Sequence, residues 1–142
     1  MINVEECINK GLLRKIPASR EKARLSLQKA SELLEEAKKN LEDERFNSAV
    51  LVCYMALFNA ARALLFKDGF REKSHECIIQ FLYEKYAATK KLPKEMIDLL
   101  EKFKSERNLT QYDVSYTPNE EEIEEMVKFA GEFIQEIEGL VG

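Results

Sequence analysis

An all-α, up-and-down antiparallel bundle of four to five main helices is the fold this sequence predicts, and three observations predict it. Apolar residues recur at alternating spacings of three and four along several long segments, the period of one face of a helix. Gly and Pro number only 5 and 3 in 142 residues, too few for the turns of a sandwich or a Rossmann sheet. Charged residues make up 34% of the chain and Trp is absent. With 45% hydrophobic content, the length fits one domain over 1–142 whose core spans about 19–139. The abundance of charge would also suit a thermophile, where Lys and Glu are enriched.

The elements follow in order. A short leading helix is expected near 3–14, broken at Pro17. Ser19 can cap the next helix, on which Ala23, Leu27, Ala30, Leu34, Ala37 and Leu41 form an a/d seam with Lys, Glu and Arg outside it. A turn at 43–47 leads into the most hydrophobic segment. There Val50, Cys53, Leu57, Ala60 and Leu64 repeat the pattern, with Ala49, Ala56, Ala61 and Ala63 beside them. Apolar nearly all round, this helix is expected at the centre of the bundle, with part of it facing a second subunit, so that a homodimer is expected. Gly69 suits its C-cap.

Ser74 can cap a third long helix over 75–88, with Ile78, Ile79, Leu82 and Tyr86 inward. Pro93 suits the first turn of the next. The last helix restarts at Pro118 and Asn119, with Glu120, Glu121 and Glu122 at the positive end of its dipole. It repeats Ile123, Met126, Ala130, Phe133, Ile137 and Leu140. Long seams joined by short turns make an up-and-down bundle.

Polar residues interrupt this scheme at one place. Met96, Leu100 and Phe103 form a buried stripe whose next position at helical spacing is Arg107. A guanidinium there needs a partner or a ligand. Asn108, Gln111 and Tyr112 are read on or beside the same face, with Asp113 and Tyr116 just beyond as loop hydrogen-bonding groups. The structural alternative is an Arg107 satisfied by Glu106, Asp113 or a C-terminal carbonyl.

The N-terminus lacks the basic start and apolar run of a signal peptide, and the longest uninterrupted apolar run falls far short of a membrane span. A cytoplasmic, membrane-free protein is expected. Cys7, Cys53 and Cys77 are an odd set without CxxC spacing, and the lone His75 cannot complete a zinc site with them. Free thiols, no metal and no cofactor are expected. The net charge of −4 weighs against strong nonspecific nucleic-acid binding. Locally, Lys10, Arg14, Lys15, Arg20, Lys22, Arg24 and Lys29 make a basic segment and 120–138 an acidic one. The basic segment is either a phosphate track or a solvated face that partly pairs with the acidic last helix.

Several of these stretches together carry a resemblance. The run Glu44 to Val50, the run Tyr54 to Leu65, Ser74-His75 opening a helix, and Arg107 with Tyr112 five residues later resemble the HEPN domain, in order and spacing, from about 20 to 138. The resemblance implies a helical bundle that pairs through its central helices. In active HEPN ribonucleases an Arg and a His four to six residues apart meet their counterparts across a dimer and cut RNA without metal. Many small members work beside a minimal nucleotidyltransferase as toxin and antitoxin, and others serve as dimerisation or partner modules.

Carried over, Arg107 matches the family arginine and Asn108 the polar residue after it. The family histidine falls on Tyr112, and the position of the tyrosine modified in certain toxin members falls on Val114. Metal-free cleavage needs a base for the 2′-hydroxyl, a cation for the phosphorane and an acid for the leaving oxygen. Arg107 can be the cation. Tyr112, with a reference pKa near ~10, is a poor base but can act as an acid or stack on a nucleobase. His75 is the remaining source of a base, because the helix start disfavours its charged form. Its alternative is a packed or capping role at the helix junction. Two functions are therefore expected: an RNA-binding or ribonuclease-like toxin component, if active a metal-independent endoribonuclease, or a noncatalytic interaction module that binds a nucleotide or a nucleotidyltransferase partner.

Overall fold

The three-four repeats become helices almost where the spacing places them. The computed structural model describes residues 2–142. Helix α1, Val4–Asn9, is capped by the Asn3 side chain, which accepts from the Glu6 amide at 2.8 Å. Strand β1 is Leu13–Lys15, α2 is Arg20–Glu42 and α3 is Phe46–Asp68. Strand β2, Phe70–Glu72, precedes α4, His75–Leu82, which runs on into a π-helical turn over Tyr83–Ala87. Helices α5, Lys94–Tyr112, and α6, Glu120–Val141, complete the bundle. Ser19 and Asn119 cap α2 and α6 through their side chains, as their residue types favour.

Helix α3 packs against α2, α5 and α6. That central position follows from composition: Ala49, Val50, Cys53, Ala56, Leu57, Ala60, Ala61, Ala63, Leu64 and Leu65 are all fully buried, and the alanines let neighbouring backbones approach closely. By length and composition α3 is able to cross a bilayer, with a mean hydropathy of 1.8 over its most apolar stretch, 61% of which is buried. Most of its apolar residues pack inside the bundle, and Leu51, Met55 and Phe58 line a surface cleft. Burial pushes the free Cys53 thiol up to about 12, which keeps it unreactive.

The leading segment departs from the expected 3–14 helix. Helix α1 stops at Asn9, Gly11 adopts φ +70°, and β1 pairs antiparallel with β2 with Leu13 opposite Glu72, Arg14 opposite Arg71 and Lys15 opposite Phe70. Strands this short carry too little alternation to be legible. The ribbon corrects a second expectation. By drawing the leading segment alongside α4, it lets Cys7 bond Cys77 in a disulfide, where free thiols were expected from the spacing. The two cysteines are 70 residues apart, and only tertiary contact joins them.

Gly69 makes the tight link from α3 to β2. It sits at φ +87°, its amide donates back to the last turn of α3, and a Cβ here would meet the Ile16 carbonyl oxygen at 2.8 Å. Gly69→Ala should therefore cost about 1–3 kcal/mol. Urea unfolding checks this, and an unchanged midpoint would refute it.

Candidate functional site

Helix α5 presents Ile97, Leu100 and Phe103 to the core, all buried, and Arg107 continues that stripe as a half-buried side chain. Its neighbours are not those of a structural ion pair. Nη1 donates to Gln111 Oε1 at 3.0 Å and Nη2 to His75 Nδ1 at 3.3 Å. The guanidinium lies 4.8 Å from the Tyr54 ring centroid, a cation–π distance. Arg107 Nε is buried without a hydrogen-bond partner. Leaving such a donor unmade costs ~1–3 kcal/mol, which an acceptor supplied by a ligand would recover. Neither Glu106 nor Asp113 pairs with the guanidinium: Glu106 Oε2 accepts from the Tyr116 hydroxyl at 2.8 Å, and Asp113 Oδ1 accepts from Ser115 N and Oγ at 2.9 and 2.7 Å.

His75 comes to Arg107 from the start of α4. The imidazole stacks on Phe58, centroids 4.3 Å apart, and its Nδ1 lies 3.2 Å from the Tyr54 hydroxyl. Because a guanidinium only donates, Nδ1 must accept, which fixes the neutral tautomer with the proton on Nε2. Burial holds the imidazole below its ordinary value of 6.5, helped by Arg107, Lys104 and Arg62 and opposed by Glu72. Burial pushes the Tyr54 phenol up, partly offset by Arg107. At neutral pH the site holds a cation, an unprotonated imidazole nitrogen and a protonated phenol.

One face of α3 supplies the floor. Leu51, Tyr54, Met55, Phe58, Asn59 and Arg62 line a cleft of about 480 Å³ together with His75, Arg107 and Gln111. Arg62 is held by Glu72 of β2, whose Oε1 accepts from Nε at 2.7 Å, and lies 4.5 Å over the Phe58 ring. Two arginines and stacked aromatic faces in one groove suit a phosphate beside a flat base. Among the described residues no three His, Cys, Asp or Glu side chains gather in a cluster able to hold a metal ion.

The cleft thus unites Arg107, Gln111 and His75 and leaves out the other residues singled out in the sequence. Tyr112 is five positions beyond Arg107, about 140° round the helix, and is 70% exposed. That rotation takes Tyr112 out of the cleft that Arg107 lines within one chain; the expected Arg107–Tyr112 pairing is one across a dimer. Asn108, Tyr112 and Asp113 border a separate open depression of about 850 Å³ with Leu109 and Val114. Tyr116 braces the α5–α6 loop through Glu106, and burial with the Glu106 carboxylate pushes its phenol up to about 12. Tyr54, Phe58, Asn59 and Arg62 escaped notice as site residues because α3 was read as core. Their signal was present: 51, 54, 55, 58 and 62 form a second three-four stripe, aromatic and polar, on the same helix.

Comparison with known proteins agrees with this architecture. The HEPN domain family model matches residues 23–140, which takes in α2 through α6. The chain is also similar to a UPF0332 protein of Thermotoga maritima, 29% identical over 113 residues that cover 80% of this chain and 86% of the relative.

Proposed function

This chain belongs to the HEPN domain family, and from that premise we propose that it binds and cuts RNA without a metal ion, using Arg107 with His75 in place of the histidine absent from the motif. The observation that carries the reading is the 3.3 Å contact between Arg107 Nη2 and His75 Nδ1 across 32 residues of sequence. When a phosphodiester enters, Arg107 turns to its non-bridging oxygens and the Tyr54 hydroxyl to the leaving 5′-oxygen, and together these movements free Nδ1. The imidazole takes the proton of the 2′-hydroxyl as the 2′-oxygen bonds phosphorus. The bond from phosphorus to the 5′-oxygen breaks, and the Tyr54 phenol protonates that leaving oxygen. The imidazolium returns its proton to the phenolate, which closes the cycle and leaves a 2′,3′-cyclic phosphate and a 5′-hydroxyl. Phe58 and Met55 offer apolar surface for an adjoining base.

A toxin-type role in the cytoplasm, as a homodimer restrained by a minimal nucleotidyltransferase, completes the reading. The Cys7–Cys77 disulfide is compatible with such a location in organisms whose intracellular proteins carry disulfides. A second reading, a noncatalytic module for a partner or a nucleotide, is favoured by one observation. Leu109, Tyr112 and Val114 are exposed together at the end of α5, an apolar surface suited to a protein partner.

Purified protein in EDTA, given single-stranded and structured RNA, tests the first reading. Wild type should yield cyclic-phosphate ends. Arg107→Ala should lower kcat by about 10²–10³, the usual loss when one donor to a developing oxyanion is removed. Tyr112→Phe should leave the rate unchanged. No cleavage by wild type at any enzyme concentration would favour the partner module.

A further inference from the structure

The β1–β2 ribbon has two chemically opposite faces. By the two-residue period of a strand, Leu13 and Glu72 share the inward face and are buried, and Glu72 holds Arg62 in the cleft through Oε1, its Oε2 being buried without a hydrogen-bond partner. The outward face carries Arg14 and Arg71 directly opposite one another, and the next outward position of the second strand is Lys73, whose amide donates to the Leu12 carbonyl at 2.8 Å. All three side chains are exposed. None forms an ion pair among the described residues; of the basic segment, Arg24 reaches the end of the last helix, its Nη2 donating to the Gly142 carbonyl oxygen at 3.2 Å. Like charges directly opposite in a ladder destabilise it. Three cations held together without a carboxylate are a surface prepared for a polyanion.

Position decides which polyanion. Lys73 and Ser74 lead straight from the ribbon into His75, so Arg71 is four residues from the imidazole and at most ~14 Å away along the chain. The inward face of the same ribbon holds Arg62 in the cleft. The ribbon thus joins the cleft at two points, through Glu72 on Arg62 and through the two-residue link to His75.

We propose that Arg14, Arg71 and Lys73 form a phosphate track that receives the backbone of a single RNA strand and leads it into the Arg107–His75 cleft. This rests on the reading of the cleft as an RNA site. The track is sequence-independent, acts through counterion release and supplies affinity without chemistry.

The test measures binding of a fluorescein-labelled, 2′-O-methylated oligoribonucleotide, which lacks the attacking hydroxyl, by anisotropy across a salt series. Removing three phosphate contacts to a single strand should reduce the slope of log K against log salt by about 2, so between 50 and 200 mM salt wild type should lose about 20-fold more affinity than the Arg14→Gln, Arg71→Gln, Lys73→Gln variant. A charge-matched control, Lys38→Gln, Lys39→Gln, Lys128→Gln, should keep the wild-type slope. Circular dichroism verifies that both variants fold. A ribbon variant with the wild-type slope overturns the track, as does a control that loses as much. Absence of oligonucleotide binding, with ribbon-dependent binding to phosphatidylserine vesicles, overturns it in favour of a membrane surface. Cleavage of unmodified RNA is scored separately. A wild type that does not cut but shows the ribbon-dependent slope sinks the nuclease reading alone, and one that cuts with a ribbon-independent slope sinks the track alone.

Discussion

Replacing His75 with glutamine is expected to cost about 10²–10⁴ in cleavage rate, the usual worth of a positioned general base, while the bundle stays folded. The half-buried ring stacks on Phe58 and touches two polar partners, and glutamine keeps a hydrogen-bonding group of similar reach. The pH profile separates chemistry from structure. A base must be unprotonated, and the His75 pKa lies below 6.5, so kcat/KM should rise with pH along an acidic limb centred below 6.5 and then level off. Stability follows the same sign. The unfolded chain takes up a proton at a higher pH than the folded one, so this group's contribution is complete above 6.5 and declines as pH falls toward the folded-state value. Far-UV circular dichroism across the range shows whether loss of fold accounts for the limb. A glutamine variant that cuts at the wild-type rate, or that keeps the same acidic limb, would remove His75 from the reaction.

Cys7→Ser with Cys77→Ser should lower the melting temperature by roughly 10–15 °C. The disulfide closes a 70-residue separation, and chain entropy alone assigns a loop of that length about 4 kcal/mol. Local structure raises the stakes, because α1 is only six residues long and cannot hold itself to the bundle by its own hydrogen bonds. Its other tether is Glu84 in the π-helical turn, which accepts from the Val4 amide at 2.8 Å. Reductant added to wild type should reproduce most of the shift. Equal melting curves for oxidised wild type, reduced wild type and the double variant would show that the link adds nothing.

The bundle was legible because its physics is local. Every seam from Ala23 to Leu140 repeats at helical spacing, and the predicted caps Ser19 and Gly69 stand where the helices start and stop, whereas Ser74 stands at the start of α4 without a side-chain cap bond. Arg107 was legible for the same reason, as a charge on an apolar stripe. What stayed hidden depends on contacts between distant segments. No local pattern brings the start of α4 to the end of α5, so His75 was weighed as the one available base without any visible partner. Tyr112 shows the limit of spacing as a guide, because five residues along a helix turn a side chain to another face of the same chain. The face of α3 that forms the cleft floor was masked by the alanines and leucines around it, since a central helix is apolar on most sides and its one polar stripe is easily absorbed into the core.

The π-helical turn after α4 is a register device. Within α4, Cys77, Ile78, Phe81 and Leu82 are buried on an ordinary helical period, and through the wider turn over Tyr83–Ala87 the next inward side chain is still Tyr86, four residues on from Leu82. Its hydroxyl donates to Asp68 Oδ2 at 2.6 Å, at the very end of α3. A π turn takes up one residue more than an α turn, so a chain one residue shorter at this point would close into a plain α-helix with the tyrosine on nearly the same face. The turn thus absorbs an extra residue between those two anchors without uncoupling the segment that begins with His75 from the end of the central helix.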